Sequence, residues 1–353
     1  MNYINILRWV KVGNSVFIIA EISANHGNDI NIVKETMLKA KEVGANAVKI
    51  QTYKPDTITL DVDNEHFTIN DPDSIWKGRK LYDLYQEGSL PWEWHVELYE
   101  FAKEKDIVLF STPFDFSAVN LLEKCDNPIY KIASFEINDI PLIKYAASKM
   151  KPMIMSTGIA AFEEINEAVE ACRSVGNDDI TLLKCTSEYP AKIEDANLVM
   201  IQDLKERFKT KVGLSDHTLG SLAPVVAVAV GAEVIEKHFI LDQEIGGTDA
   251  SFSMNPDEFK EMVEQVRITE NSLGIVDYET VLNKASRDFR RSLFISKDVK
   301  EGDVVTEENI QSIRPGFGLA PKYYNDVIGK MFEADYKKGT PLSLEMFSFS
   351  SFS

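Results

Sequence analysis

The stretch AEVIEKHFILD, residues 232–242, sets three polar side chains, Glu236, Lys237 and His238, between Val234, Ile235 and Phe239, Ile240. Buried polar groups without partners cost free energy, so a network or a site must hold them. The run is also the last of a series. Before it come VFIIAEI (16–22), NAVKIQT (46–52), IVLFSTP (107–113) and IYKIASFE (129–136), then PMIMSTG (152–158), ITLLKCTSEYP (180–190) and KVGLSDH (211–217). Most are followed by segments with apolar residues every three or four positions, such as NIVKETMLKAKEVGA (31–45) and FEEINEAVEACRSVG (162–176). Nearly continuous apolar strands alternating with helices are the pattern of a parallel sheet covered on both faces. Eight units are the number a closed (β/α)8 barrel needs. An open doubly wound sheet is the alternative, but the first loop, SANHG, lacks the glycine-rich dinucleotide pattern. The fold expected is therefore α/β, a TIM barrel.

The rhythm breaks in two places. Residues 53–95 are too long for an ordinary strand-to-helix connection and are dense in tryptophan and charge. They form either a substrate-specific element at the barrel rim or a surface excursion packed on its own aromatics. After about residue 275 come short strand-like runs, Lys-Gly turns and one helical turn. The organisation expected is a catalytic barrel over 1–273, a polar linker over 274–291 and a small β-rich domain over 292–353.

Composition narrows the classes of function. The chain has 353 residues, with 38 basic against 56 acidic and a formal net charge of −18. No nucleic-acid partner is expected, because phosphate backbones demand basic stripes. An anionic substrate would need a local cationic pocket against the overall field. Cys125, Cys172 and Cys185 are odd in number and widely spaced, which reads as buried thiols in a reducing compartment. No apolar run approaches a membrane span, and the N-terminus lacks the pattern of a signal peptide, so a cytoplasmic location is expected.

Barrel enzymes carry their chemistry at the carboxyl ends of the strands. There this chain places Glu21; Lys49 and Gln51, two apart and so on one face; Thr112; Lys131, Ser134 and Glu136; Ser156; Lys184, Ser187 and Tyr189; Ser215 and His217; and Glu236, Lys237 and His238. Singly, a strand-end hydroxyl reads as a helix cap and a strand-end lysine as a snorkelling surface group. Together they suit an anion bearing phosphate and carboxylate, with lysines for charge and hydroxyls for direction. His217 and His238 end adjacent strands. They are either a divalent-cation site with open positions or two hydrogen-bonded core histidines.

The ordered motifs IIAEISANHG, AVKIQTY, STPFD, YKIASFE, MSTG, GLSDHTLG, EKHF and RPGFGLAP resemble the sialic acid synthase family from about residue 15 to 348. The resemblance implies a barrel joined to an antifreeze-like (SAF) domain, in a homodimer whose small domain reaches over the partner's barrel. It implies condensation of phosphoenolpyruvate with an N-acetylated hexose, using Mn2+ or Mg2+. It implies phosphoenolpyruvate on Lys49, Thr112, Lys131, Ser134, Ser156, Ser187 and Ser215, and the metal on His217 and His238. Gln51, Tyr189, Asp249 and, from the other subunit, Arg314 would touch the sugar. Glu21 would act as acid/base group with Glu136 assisting. WKGRKLYDLYQE (76–87), PWEWH, LLKCTSEYPA and GGTDASFS resemble the branch of that family making pseudaminic acid. Ser187, where N-acetylneuraminic acid synthases tend to have Asn, favours a 6-deoxy-2,4-diacetamido hexose of altrose type. Legionaminic and N-acetylneuraminic acid synthesis are the alternatives within the family. Outside it stand a non-catalytic carbohydrate-binding protein and a Schiff-base aldolase.

Overall fold

The computed structural model describes residues 15–71 and 74–347. The reading of the extreme N-terminus as lacking a signal peptide falls largely on residues 1–14, outside the described residues, as do the last six residues of the small domain. Eight parallel strands pair in sequence order and close into a barrel, the eighth against the first. They are β1 (Phe17–Glu21), β2 (Ala47–Thr52), β3 (Leu109–Pro113), β4 (Tyr130–Ile132), β5 (Met153–Ser156), β6 (Ile180–Cys185), β7 (Lys211–Asp216) and β8 (Val234–His238). Each is followed by one of the helices α1 (Ile30–Glu42), α2 (Trp94–Glu104), α3 (Phe116–Lys124), α4 (Ile140–Ala147), α5 (Phe162–Ser174), α6 (Met200–Phe208), α7 (Leu222–Ala229) and α8 (Pro256–Leu273). The expected TIM barrel is the observed one.

Period-two alternation divides the strand residues between two cores. One set, among them Ile18, Ala20, Val48, Ile50, Ile132, Met155, Leu182, Val212, Leu214 and Ile235, packs against the helices. The other, Ile19, Ala47, Phe110, Ile129, Ile154, Leu183 and Val234, fills the barrel's interior. Two residues further along, towards the carboxyl end, the interior positions turn polar on most strands, to Glu21, Lys49, Thr112, Lys131, Ser156 and Glu236. The apolar layer is thus the floor of whatever the rim holds.

The helix starts remove the ordinary explanation for the strand-end hydroxyls. Asp29 caps α1, Asp115 caps α3, Asp139 caps α4 and Asn255 caps α8, each accepting from backbone N–H groups of the first turn. None of Thr112, Ser134, Ser156, Ser187 or Ser215 sits at a cap position. They are buried or half-buried for another reason.

A second compact unit begins after Gly274. In it β9 (Ser292–Ile295) pairs antiparallel with β10 (Ile310–Ile313) over a core that includes Leu293, Ile295, Val299, Ile310 and Phe332. The helical turn read in this region is Tyr324–Val327. The polar stretch 274–291 is almost wholly exposed and holds two 3-10 turns, Thr280–Asn283 and Ala285–Phe289.

Gly213 shows how tightly the barrel interior is filled. A Cβ there would meet the carbonyl oxygen of Val234 and lie 2.7 Å from Leu183 Cδ2, both on neighbouring strands. Overpacking of this kind costs typically about 1–3 kcal/mol. Gly213→Ala is expected to lower the thermal midpoint of the barrel by several degrees in calorimetry, and an unchanged midpoint would contradict the packing described.

Candidate active site

The register of the strands sets the polar groups at matching heights. Glu21 on β1 pairs in register with Lys49 on β2 and with His238 on β8. Gln51 lies level with Thr112, and Ser215 with both Cys185 and Glu236. Inward and outward then follow from alternation. Glu236 and His238 face the interior. Lys237, between them, faces the helices, where its ammonium meets Asp216 Oδ2 at 2.5 Å and the carbonyls of Thr218 and Gly220. Lys184 likewise turns aside, donating to Cys185 O at 2.6 Å and Thr186 Oγ1 at 3.2 Å. The strand-end lysines therefore do not all share one rim; Lys49 and Lys131 are the ones inside it.

Lys49 Nζ lies 2.7 Å from Glu21 Oε2 and 3.3 Å from Glu236 Oε1, and donates to Thr112 Oγ1 at 3.2 Å. Lys131 Nζ donates to Ser156 Oγ at 2.6 Å and to Ile132 O at 3.1 Å, with Glu236 Oε1 3.9 Å away. Gln51 Nε2 donates to Glu21 Oε1 at 3.2 Å, and Ser215 Oγ to Glu236 Oε1 at 3.4 Å. Burial pushes Glu21 up to about 7 against the pull of Lys49. Burial also opposes charge on Glu236, but Lys131 and Lys49 outweigh it and hold that carboxyl below its usual range. Burial depresses Lys131, helped by the like charge of Lys49.

The imidazoles stand side by side, ring centroids 5.3 Å apart. His217 Nδ1 lies 2.8 Å from the carbonyl oxygen of Thr186. A carbonyl only accepts, so Nδ1 carries a proton. Burial opposes charge on His217, but Cys185, its Sγ 3.9 Å from Nδ1, and the Thr186 carbonyl outweigh it and raise the ring's pKa. His238 Nδ1 has no hydrogen-bond partner, and Asp249 Oδ2 is 3.7 Å from it. Burial and the surrounding cations hold His238 well below its usual pKa, hence neutral. Once His217 gives up its Nε2 proton, the two rings offer uncommitted nitrogens that suit a divalent cation. Among the described residues no three His, Cys, Asp or Glu side chains converge as a closed ligand set. Such a cation would keep positions open for oxygen ligands.

The remaining residues line the same rim from loops. β4 ends at Ile132, earlier than the sequence suggests, so Ser134 and Glu136 sit in a 3-10 turn, Ser134–Glu136. β6 ends at Cys185, which leaves Ser187 and Tyr189 on the loop beyond. Ser134 Oγ and Ser187 Oγ are 2.7 Å apart over Gly158, where a Cβ would strike Ser187 Oγ and lie 2.9 Å from Ser134 Cβ. Tyr189 lies against His217 with centroids 4.3 Å apart, and Phe252 against His238 at 4.9 Å. Glu136 Oε2 is buried without a partner, and burial pushes that carboxyl up to about 7 despite Lys131. Arg314 is exposed in the second unit.

Barrel residues from Glu21 to Asp249 thus converge, as read from sequence. Glu236 was visible there without a role, although its i, i+2 spacing to His238 already puts both on one face. Phe252 and Trp76 gave no such signal. A separate cavity of about 570 Å3, lined by Phe17, Ile129, Pro152, Lys211 and Glu233 among others, opens at the amino-terminal ends of the strands, where barrels of this type carry no chemistry.

Comparison with known proteins assigns this arrangement to a family. Residues 36–278 match the NeuB family and residues 290–348 the SAF domain. The chain belongs to the NeuB family. It is 47% identical to the pseudaminic acid synthase of Helicobacter pylori over 93% of this chain and 96% of the relative. It is also 47% identical to that of Campylobacter jejuni serotype O:2, over 94% and 98%. The N,N'-diacetyllegionaminic acid synthase of Legionella pneumophila is 37% identical over 93% and 94%. Among solved NeuB-like structures, an N-acetylneuraminic acid synthetase of Leptospira borgpetersenii in complex with citrate superposes with a TM-score of 0.67 at 34% identity, covering 78% of this chain and 90% of that one.

The near-neutral Glu136 gives a test by linkage. Its folded pKa of about 7 lies above the ordinary 4.5, so its contribution to stability is full below pH 4.5 and is lost as pH rises through 7. Relative to Glu136→Gln, the unmodified protein is expected to lose about 3 kcal/mol between those limits. Thermal midpoints of both proteins across pH 4.5–8 read this difference, and parallel curves would contradict it.

Proposed function

We propose that this chain condenses phosphoenolpyruvate with a 2,4-diacetamido-2,4,6-trideoxy hexose of altrose type and water, giving pseudaminic acid and phosphate. Its greater likeness to pseudaminic acid synthases than to the legionaminic acid synthase, sustained over almost the whole chain, carries the choice of sugar. The fully buried Lys49 and Lys131 beside an imidazole pair support the chemistry.

Phosphoenolpyruvate enters with its phosphate and carboxylate against Lys49 and Lys131, which release part of their hold on Glu21 and Glu236 to do so. Thr112, Ser134, Ser156, Ser187 and Ser215 donate to its oxygens and fix its orientation. Mn2+ or Mg2+ on His217 and His238 would polarise the sugar's aldehyde oxygen. Carbon 3 of the enol forms a bond to the aldehyde carbon, while water adds at carbon 2. The carbon 2–oxygen bond to phosphate then breaks and a ketone remains. The two hydrogens of the water end on the new sugar hydroxyl and on the phosphate.

Glu21, titrating at about 7, takes the proton from the attacking water. A base poised there contributes typically about 10²–10⁴-fold. Glu136, with one oxygen uncommitted, exchanges a proton with the developing alkoxide. Gln51, Tyr189 and Asp249 position the sugar. Holding both substrates aligned supplies up to about 7–11 kcal/mol of the barrier. In the homodimer implied by the family, Arg314 reaches the sugar bound to the partner's barrel.

Phosphate release from phosphoenolpyruvate on adding the trideoxy hexose is the direct assay, with N-acetylmannosamine and the legionaminic acid precursor as comparisons. His238→Ala is expected to abolish both turnover and Mn2+ binding by calorimetry while leaving the thermal midpoint close to the parent's. Retained Mn2+ affinity would remove His238 from the ligand set. Arg314→Ala and Lys131→Ala are each expected to be inactive, yet a mixture allowed to exchange subunits should recover activity. No recovery on mixing would rule out Arg314 acting across the dimer.

A further inference from the structure

The excursion between β2 and α2 does not pack only on itself. Within it Trp92 Nε1 donates to Tyr53 O at 2.9 Å and the Tyr53 and Tyr85 rings meet edge to face at 5.9 Å, but Tyr53 also meets Phe114, beyond β3, edge to face at 5.1 Å. The short helix Leu81–Gly88 ends against the rim, where Gly88 O lies 3.3 Å from His26 Nε2. A Cβ on Gly88 would lie 3.4 Å from Ala24 Cβ and 3.8 Å from Thr248 Oγ1, so the excursion is seated closely. Two of its ion pairs are internal, Arg79 with Glu87 and Lys80 with Asp61.

Trp76 is what the excursion brings to the site. Its ring lies 5.7 Å from that of Tyr189, which also lies against His217 at 4.3 Å and Phe252 at 5.3 Å. Its indole Nε1 donates to Thr248 O at 3.2 Å, and the next residue, Asp249, has its carboxylate 3.7 Å from His238 Nδ1. Two independent contacts thus tie Trp76 to the neighbourhood of both imidazoles. With its one polar hydrogen consumed by Thr248, the ring offers the rest of its surface as purely apolar. It is half-buried, so part of that surface remains uncovered.

We infer that Trp76, tilted against Tyr189, is a specificity-determining residue that seats an apolar substituent of the sugar, the carbon 6 methyl group, and disfavours a hexose bearing a hydroxyl there. The inference rests on the synthase reading above. A methyl group on an aromatic face gains contact, whereas a hydroxymethyl group must leave water without a partner from Trp76. An apolar pocket discriminates against an added hydroxyl by about a hundredfold at most.

The experiment measures phosphate release at saturating phosphoenolpyruvate with the 2,4-diacetamido-2,4,6-trideoxy hexose and with its 6-hydroxy counterpart, using the unmodified protein, Trp76→Ala and Trp76→Phe. Trp76→Ala is expected to lower kcat/KM for the 6-deoxy sugar about tenfold to a hundredfold, chiefly through KM. The 6-hydroxy sugar and the KM for phosphoenolpyruvate are expected to change little. Trp76→Phe keeps a ring without the donor and should retain most of the preference, which decides the matter if the alanine variant folds poorly. Equal losses for the two sugars, an unchanged preference, or a loss in the phosphoenolpyruvate KM overturns the assignment. Absence of phosphate release by the unmodified protein with every sugar overturns the synthase reading and this one with it. Release by the parent with no change of preference in the variants overturns this one alone.

Discussion

Lys49 is the centre on which the rim is built. One ammonium group reaches Glu21 on the first strand and Glu236 on the last, and so straddles the seam where the barrel closes. All three side chains are nearly without solvent exposure. Charges so placed are tolerable only in company, since removing one partner of a buried pair typically costs about 3–5 kcal/mol. The register that levels Glu21 with Lys49 and His238 is therefore an electrostatic requirement as well as a steric one. Shift one of these strands by a single residue and the interior polar set would face the helices.

The same group explains how an acidic chain can hold an anion. The net charge of −18 lies mostly on the surface, where water and salt screen it. Inside, Lys49 and Lys131 are shared with Glu21 and Glu236, so this cluster is close to neutral. In the proposed reaction an incoming phosphate and carboxylate would compete with protein carboxylates for the same ammonium groups. Glu21 is the one that can yield, because a carboxyl titrating near 7 exchanges its proton at little cost. Binding the anion and preparing a base are then parts of one charge redistribution.

How much of this the sequence disclosed depends on the kind of order involved. Strand-and-helix alternation is local, and it identified all eight strands. Spacing of two put Lys49 with Gln51 on one face, and the same rule would have separated Lys237 from His238. The sequence alone did not apply it there, because whether a lysine at a strand end turns inward depends on finding Asp216 on the neighbouring strand. Ser134, Glu136, Ser187 and Tyr189 were placed on strands, whereas β4 and β6 stop short and turns carry them. Where a parallel strand ends is set by its neighbours' pairing, which no local pattern records. Trp76 was hardest of all: its partners Tyr189 and Thr248 lie far along the chain, and only the docking of the excursion unites them.

That division has a consequence for how specificity is organised. The groups proposed for phosphoenolpyruvate lie on strands or within a few residues of strand ends, held by barrel register and by an apolar floor. Those proposed for the sugar, apart from Gln51, lie on loops: Tyr189 after β6, Asp249 after β8, and the excursion after β2. A loop can change its residues without disturbing the register that pairs Glu21 with Lys49, whereas a strand cannot. The common half of the reaction is accordingly built into the fold, and the variable half is mounted on it. On this reading, relatives named for different sugars would differ chiefly in those loops while keeping the strand register.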